Sequence, residues 1–197
     1  MNSDISSALR PAVVMLLLFT LLTGLAYPAV ILGIGQLLFP AQANGSLVRD
    51  AKGAVVGSEL IGQGFAAAKY FHGRPSAAGK GYDGQSSGGS NFGPNAKGLI
   101  DRVKTDAAVA RKDGATGAFP ADMLTASGSG LDPHISPATA YAQVDRVAKA
   151  RGLEATKVKA MVDAAVEGPL ANILGEPRVN VLKLNRQLDA AGAQSAG

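Results

Sequence analysis

The residues that could do chemistry in this sequence are few. It has two histidines, His72 and His134, and no cysteine. With Asp132 and either Ser87 or Ser90, one of these imidazoles could form a Ser–His–Asp triad for nucleophilic hydrolysis. No nucleophile elbow, in which a strand-to-helix turn presents the serine of a G-x-S-x-G motif, is predicted around either serine. We therefore expect no catalytic residue and structural roles for these side chains.

Metal and phosphate sites are equally poorly supported. A histidine-based metal site would need carboxylates to complete it, and no H-x-x-x-H or H-E-x-x-H spacing occurs. The absence of cysteine excludes disulfides, thiolate ligands and thiol nucleophiles. The glycine-rich run Ser86–Asn91 could form a nest of N–H groups for an anion, but the G-x-x-x-x-G-K-[ST] motif is absent. We expect no metal and no assignable cofactor-binding residue.

An apolar run near the N-terminus is the main element that organises the chain. No charged residue occurs from Pro11 to Val48, and the residues through Phe39 are almost wholly apolar. A bilayer core of about 30 Å needs about 20 such residues. The run predicts a short N-terminal segment, 1–11, and then a transmembrane helix over 12–39 with its core at about 12–34. We expect Pro11 at the first helical position and an interruption at Pro28.

The alternative to an anchor is a cleaved leader and a secreted protein, because Ala41-Gln42-Ala43 has the form of a cleavage site. A leader's apolar region is typically about 7 to 15 residues, and this run is about twice as long, which favours an uncleaved signal-anchor. Arg10 before the run and Arg49 and Lys52 after it do not decide the orientation. The leader-like start favours export, so we expect an extracytoplasmic domain.

The rest of the chain, 44–190, is long enough for one domain with its own core, followed by a tail, 191–197. The net charge of +4 is scattered, without the basic stripe and interleaved aromatics of a nucleic-acid-binding protein. Membrane lipid or an acidic partner surface is a better match. Strands early and helices late predict an α+β domain.

Turn signals and apolar spacing predict the elements of this domain. Hairpin strands are expected at 47–48, 54–56 and 60–61, a long glycine-rich loop follows through residue 98, and a further strand is expected at Met123–Ser127. The expected helices have these inward-facing residues: Leu99, Ile100, Val103, Ala107 and Ala110; Tyr141, Val144 and Ala148; Val158, Met161, Val162, Ala165 and Val166; and Val181, Leu184 and Leu188. Their expected caps and ends are Gly114, Ser136, Gly152, Gly168-Pro169 and Asn180.

Two surfaces could dock a partner. Thr20 and Gly24 have small-xxx-small spacing, which allows another helix to approach closely within the membrane. Tyr70, Phe71 and Arg74 lie beside the glycine-rich loop, and tyrosine and arginine are enriched at interface hot spots. A core role for the two aromatics is the alternative. From these residues alone, the chain is an anchored domain that binds something, either on a transporter or as a free-standing exported hydrolase or binding protein.

A resemblance narrows these alternatives. The strings that carry it, in chain order, are Arg10-Pro11, Tyr27-Pro28, Gln42–Leu47, Gly57–Gln63, Tyr70–Ala77, Ser87–Asn91, Leu124–Pro137, Arg146–Arg151 and Gly175–Leu182. In these strings the chain resembles the C subunit of the Kdp potassium-transporting P-type ATPase, over nearly its whole length. The loop after Gly79 and the alanine-rich tail are the least typical parts.

The resemblance implies a non-catalytic subunit of a bacterial inner-membrane complex for potassium uptake. Its partners would be a channel-like subunit that selects potassium and a P-type ATPase subunit that hydrolyses ATP. The family is described as a catalytic chaperone that raises the ATP affinity of the pump subunit. If the domain lies in the periplasm, its residues cannot touch cytoplasmic ATP, so the resemblance implies ATP through the complex and no cofactor bound directly.

Overall fold

The computed structural model describes residues 2–115, 117–171 and 173–194. The chain divides into two compact units, residues 1–47 and residues 48–197. Each unit is described separately below.

The N-terminal unit is helical. It contains α1 (Asn2–Leu21), a π-helical turn (Leu22–Ala26), α2 (Tyr27–Leu38) and α3 (Pro40–Ala43). The stretch Ser6–Leu38, 33 residues, is long and apolar enough to cross a membrane, which agrees with the predicted anchor. The expected helix start at Pro11 is wrong, because α1 begins at Asn2 and contains Pro11. The helix tolerates this proline without the hydrogen bond that the missing N–H would donate.

The predicted interruption of the α-helix near Pro28 is confirmed, although the chain stays helical around this proline. The π-helical turn lies immediately before it, and the backbone N–H of Tyr27 donates to the carbonyl of Leu22. Pro28 then occupies the first turn of α2, where a backbone N–H has no partner within its own helix. The hydroxyl of Thr23 donates to the carbonyl of Phe19 at 2.6 Å. The wider turn therefore accommodates the proline, and the threonine hydroxyl bonds a carbonyl one turn before its own residue.

The second unit contains two small sheets. The predicted hairpin is confirmed as β1 (Leu47–Arg49) and β2 (Val55–Ser58), although Ile61 forms only an isolated bridge with Ser58. The other sheet has the order β3-β5-β4, with antiparallel neighbours, and comprises β3 (His134–Ile135), β4 (Val166–Glu167) and β5 (Arg178–Asn180). In its register, Val179 of β5 lies between Ile135 and Val166.

The helices of this unit follow the predicted order. They are α4 (Lys97–Lys112), α5 (Ala121–Leu124), α6 (Pro137–Tyr141), α7 (Val144–Arg151), α8 (Ala155–Ala165) and α9 (Val181–Gln194). The hydroxyl of Ser136 accepts from the Thr139 N–H at 3.1 Å, and Asn180 Oδ1 accepts from the Lys183 N–H at 3.1 Å, so both predicted caps are confirmed. Gly152 ends α7 in the left-handed conformation that a C-terminal glycine permits.

Four local predictions are wrong. Residues 123–127 were expected to form a strand, but Met123 and Leu124 belong to α5. The helix that begins after Ser136 divides into α6 and α7, and α8 ends at Ala165 rather than at Gly168 because Val166 and Glu167 pair with β5. The tail was expected to fray from Ala190, but α9 continues to Gln194, and residues 195–197 lie outside the described residues.

The core forms where α6 to α9 pack on the three-stranded sheet. Its buried members include Phe71, Ile135, Val144, Val147, Ala148, Val158, Val162, Val179, Leu184 and Leu188. The predicted inward faces of α7, α8 and α9 are largely confirmed by this set. Two residues predicted to face inward are exposed instead: Ile100 of α4, and Tyr141, whose hydroxyl donates to Asp163 at 2.6 Å.

Candidate functional site

The segment Tyr70–Ala78 has no regular secondary structure, yet all of its residues are buried or half-buried. Phe71 and Ala78, near its two ends, are both 0% exposed. Buried backbone without a strand or helix needs other hydrogen-bond partners. The segment is therefore the part of the domain whose position depends most on side chains from elsewhere.

Two amide side chains supply the bonds that a neighbouring strand would otherwise provide. Asn185 of α9 accepts from the Phe71 N–H at 2.8 Å and donates to the Phe71 carbonyl at 2.9 Å. Gln143, just before α7, accepts from the His72 N–H at 2.8 Å and donates to the His72 carbonyl at 3.1 Å. Both amides are nearly completely buried, so these bonds satisfy groups that water cannot reach. They fix the register of the segment against the helices.

Arg74 connects the same segment to the loop that precedes β3. Its Nε and Nη2 donate to the carbonyls of Thr125 and Ala126, each at 3.3 Å. Its Nη1 lies 3.4 Å from Asp132 Oδ2. The Tyr82 hydroxyl donates to the Arg74 carbonyl at 2.6 Å, and burial followed by the Asp132 charge raises the pKa of Tyr82 to about 12. The guanidinium therefore holds the segment and this loop together within the domain.

Ser76 and Gly130 bring the start of the glycine-rich loop onto this segment. The Ser76 hydroxyl donates to the Gly130 carbonyl at 2.6 Å and accepts from the backbone N–H of Tyr82 at 2.8 Å. Gly130 has φ +67°, and a Cβ there would lie 2.6 Å from the backbone nitrogen of Ala78. Close packing and a left-handed backbone therefore both require glycine at this position.

A cavity of about 440 Å³ opens beside the segment, and its lining includes Asp106 and Asp113 from the C-terminal part of α4 and its end. Arg146 and His72 face it from the other side. Arg146 Nη1 donates to the carbonyls of Ala68 and Tyr70 at 2.6 and 3.0 Å. Its charge is therefore held mainly by carbonyl oxygens.

Burial controls the protonation of the basic groups in this cavity. It lowers the pKa of Arg146, against the opposing effect of Asp113. It also lowers the pKa of His72 from 6.5, and the nearby Arg146 charge adds to the shift. At pH 7 the His72 imidazole is therefore neutral, and the guanidinium charges in the cavity lining come from Arg74 and Arg146.

Of the residues considered for a triad, Asp132 and His134 are neighbours, with His134 Nδ1 3.6 Å from Asp132 Oδ1, whereas Ser87 bonds to a different loop. The Ser87 hydroxyl donates to the Ser129 carbonyl at 3.0 Å, and Asp132 Oδ1 accepts from the His134 backbone N–H at 3.0 Å. Residues 84–88 match the letters G-x-S-x-G, but they lie in a loop and not between a strand and a helix. Within residues 2–115, 117–171 and 173–194, no group of three or more His, Asp or Glu side chains could hold a metal ion. The geometry supports binding or scaffolding rather than hydrolysis.

The predicted docking residues have different environments. Gly24 and Thr20 share one face, since a Cβ on Gly24 would lie 4.0 Å from Thr20 Cγ2, and both residues are exposed. Tyr70 is half-buried, and its hydroxyl donates to Asp189 Oδ2 at 3.1 Å. Phe71 lies in the core, and Arg74 uses its donors within the domain. A role for these five residues in docking stays a prediction.

Gln143 and Asn185 were not singled out from the sequence, although a signal for Asn185 was available. It follows Leu184 and precedes Leu188 by three positions, so it lies on the apolar face predicted for that helix. A lone amide on such a face is typically buried with a hydrogen-bond partner. The pattern does not show that the partner is the backbone of Phe71.

Comparisons with known proteins agree over both units of the chain. Residues 9–190 match the model of a family described as KdpC, the c chain of K+-transporting ATPases. A potassium-transporting ATPase KdpC subunit from Caulobacter vibrioides (strain NA1000 / CB15N) is 60% identical over 184 residues, covering 93% of each chain. The Myxococcus xanthus protein of that name is 53% identical over 191 residues, covering 96% of this chain and 89% of its own. The one from Bradyrhizobium diazoefficiens is 50% identical over 198 residues, covering 94% and 98%.

Proposed function

Because the chain belongs to the KdpC family of K+-transporting ATPase subunits, we propose that it steadies a potassium-uptake complex and raises the ATP affinity of its pump subunit. It is a subunit of that ATPase, and catalysis lies in another subunit. The observation that carries the proposal is the extent of the family match, which runs from residue 9 to residue 190. The match therefore includes both the long apolar helix and the domain that follows it.

The proposed setting is a bacterial inner membrane, crossed once by the helix Ser6–Leu38, with the domain in the periplasm. The partners proposed there are a channel-like subunit that selects potassium and a P-type ATPase subunit. Thr20 and Gly24 support helix docking, because they form a small and exposed face on the apolar helix. The exposed apolar side chains of the rest of this helix suit contact with lipid or with partner helices.

A periplasmic domain can act on ATP only through the other subunits, because the nucleotide is cytoplasmic. The chain would then bind the ATP-ready state of the pump more tightly than the other state. Linkage makes this effect reciprocal, so a tenfold rise in ATP affinity needs about 1.4 kcal/mol of differential binding of this chain. The proposal includes no cofactor bound directly by this chain, which is consistent with the lack of a phosphate-binding motif.

The test is purification of the ATPase through a tag on this chain, followed by ATP titration with and without the chain. We expect the ATPase and a channel subunit to be recovered together, and ATP affinity to fall when this chain is removed. Recovery without any change in affinity would leave an assembly subunit and overturn the chaperone role. Failure to recover an ATPase would overturn the complex itself.

A further inference from the structure

The loop between β4 and β5 carries the most exposed large hydrophobic side chains of the domain's described residues. Leu170, Ile173 and Leu174 are 74%, 82% and 66% exposed. No charged residue occurs from Gly168 to Gly175. We call Leu170, Ile173 and Leu174 the apolar tip. Exposed aliphatic side chains clustered in one short loop indicate an interaction surface, whereas isolated ones are ordinary.

The backbone of this loop is already hydrogen-bonded within the loop. The Leu170 N–H donates to the Leu174 carbonyl at 2.8 Å, and the Leu174 N–H donates to the Leu170 carbonyl at 3.0 Å. The Ile173 N–H also donates to the Leu170 carbonyl, at 3.2 Å. Because these N–H and carbonyl groups have partners, burial of the apolar tip against an apolar surface does not leave them unpaired.

The charges that flank the loop favour a protein surface over a bilayer as the binding partner of the apolar tip. Lys183 lies 3.2 Å from Glu59 and 3.5 Å from Glu167, and Arg178 lies 3.2 Å from Glu167, so both cations are paired. Glu176 has no ion-pair partner in the described part of the chain. A bilayer with anionic headgroups attracts surfaces with available cations and repels a free carboxylate. A basic group on a protein partner would instead pair with Glu176.

We propose that the apolar tip inserts into an apolar pocket with a basic rim on another subunit of the same ATPase. The inference rests on the proposed function, because it needs that subunit. It adds the apolar tip as a docking surface, whereas Tyr70, Phe71 and Arg74 are engaged within the domain. The three aliphatic side chains supply the buried anchor, and Glu176 supplies the charge at its edge.

The absence of cysteine from the chain allows a direct test. We would introduce Ile173→Cys and measure its rate of modification by a water-soluble maleimide, in the full chain alone in lipid vesicles and in the assembled ATPase. Ile100→Cys, at an exposed position on α4, is the matched control. In the complex we expect Ile173→Cys to react about tenfold more slowly. The maleimide would reach the cysteine only while the interface is open, which we expect for about a tenth of the time. The control should react equally in both settings.

The outcomes distinguish a protein pocket from a lipid bilayer as the surface that covers the apolar tip. Protection of Ile173→Cys in vesicles that contain this chain alone would show insertion into lipid and overturn the proposal. Equal reactivity in vesicles and in the complex would also overturn it. If the tagged chain without substitutions recovers no ATPase at all, the result contradicts the proposed function itself, on which this proposal rests. A supporting second result is that Ile173→Ser and Glu176→Lys each reduce recovery of the complex, whereas Ile100→Ser does not.

Discussion

Asn185 and Phe71, 114 residues apart in the chain, exchange two hydrogen bonds in the core: the amide of Asn185 accepts from the backbone N–H of Phe71 and donates to its carbonyl. Asn185 is 1% exposed, and Phe71 is completely buried. A side chain of α9 therefore does for the central segment what a neighbouring strand does in a sheet. We therefore expect the stability of the domain to depend on this pair.

Replacement of Asn185 by leucine should destabilise the domain by about 2 to 4 kcal/mol, because it leaves two buried backbone groups without partners. Urea denaturation of the full chain in detergent, monitored by circular dichroism, measures the free energy of unfolding. Gln187→Leu, at an exposed position on the same helix, is the control and should change stability by less than about 0.5 kcal/mol. Equal effects of the two substitutions would show that the amide has no special role.

Gly130→Ala should cost about 1 to 3 kcal/mol and loosen the start of the glycine-rich loop. The reason is that Gly130 has φ +67° and that a Cβ there would lie 2.6 Å from the Ala78 nitrogen. Gly128→Ala is the matched control, since nothing lies within 4 Å of a Cβ at that position. Thermal unfolding and hydrogen exchange of residues 76–82 would report the change. A Gly130→Ala chain as stable as Gly128→Ala would contradict the packing described here.

Arg74→Ala should lower the free energy of unfolding by about 1 kcal/mol, because Thr125, Ala126 and Asp132 lose a common donor. Arg74→Lys should not restore it, since an ammonium cannot reproduce the planar, divergent donors of a guanidinium. Recovery of the complex should be measured with both variants at a temperature where each is folded. A folded Arg74→Ala chain with weaker recovery would support the docking role of Arg74, and unchanged recovery would remove it.

Acidification should destabilise the domain through His72. Its pKa in the folded domain is lowered from 6.5, first by burial and then by Arg146, so the unfolded chain binds the proton more readily. The contribution of the neutral imidazole is present above about pH 6.5 and is lost as the pH falls toward the folded pKa. His72→Gln should flatten the decline in stability between about pH 7 and pH 5, compared with His134→Gln. An identical decline in both variants would assign the pH dependence to other groups.

Gly24→Leu should weaken recovery of the ATPase through this chain, because a large side chain would fill the small face next to Thr20. Gly33→Leu, at another exposed position on the apolar helix, is the control. Both variants should insert into the membrane equally, since leucine is more apolar than glycine. If the two variants recover equal amounts of the complex, the face of Thr20 and Gly24 does not dock.

The local elements of the domain could be predicted because their signals act over one or two turns. The caps at Ser136 and Asn180 and the left-handed end at Gly152 depend on residues within four positions. The strands β3, β4 and β5 gave no such signal, since two or three residues are too few for an alternating pattern. Their pairing also decided that α8 ends at Ala165, before the end predicted at Gly168-Pro169.

The sequence by itself determined the long apolar helix, the α+β class and the family, because an uncharged run, helical periodicity and ordered strings of residues are properties of the chain alone. Only the tertiary structure decided what the central segment does. Whether Phe71 and Arg74 face a partner or the interior depends on Asn185, Gln143 and the loop before β3, which lie far along the chain. Those contacts arise from the packing of several elements at once, and no local pattern of residue types encodes them.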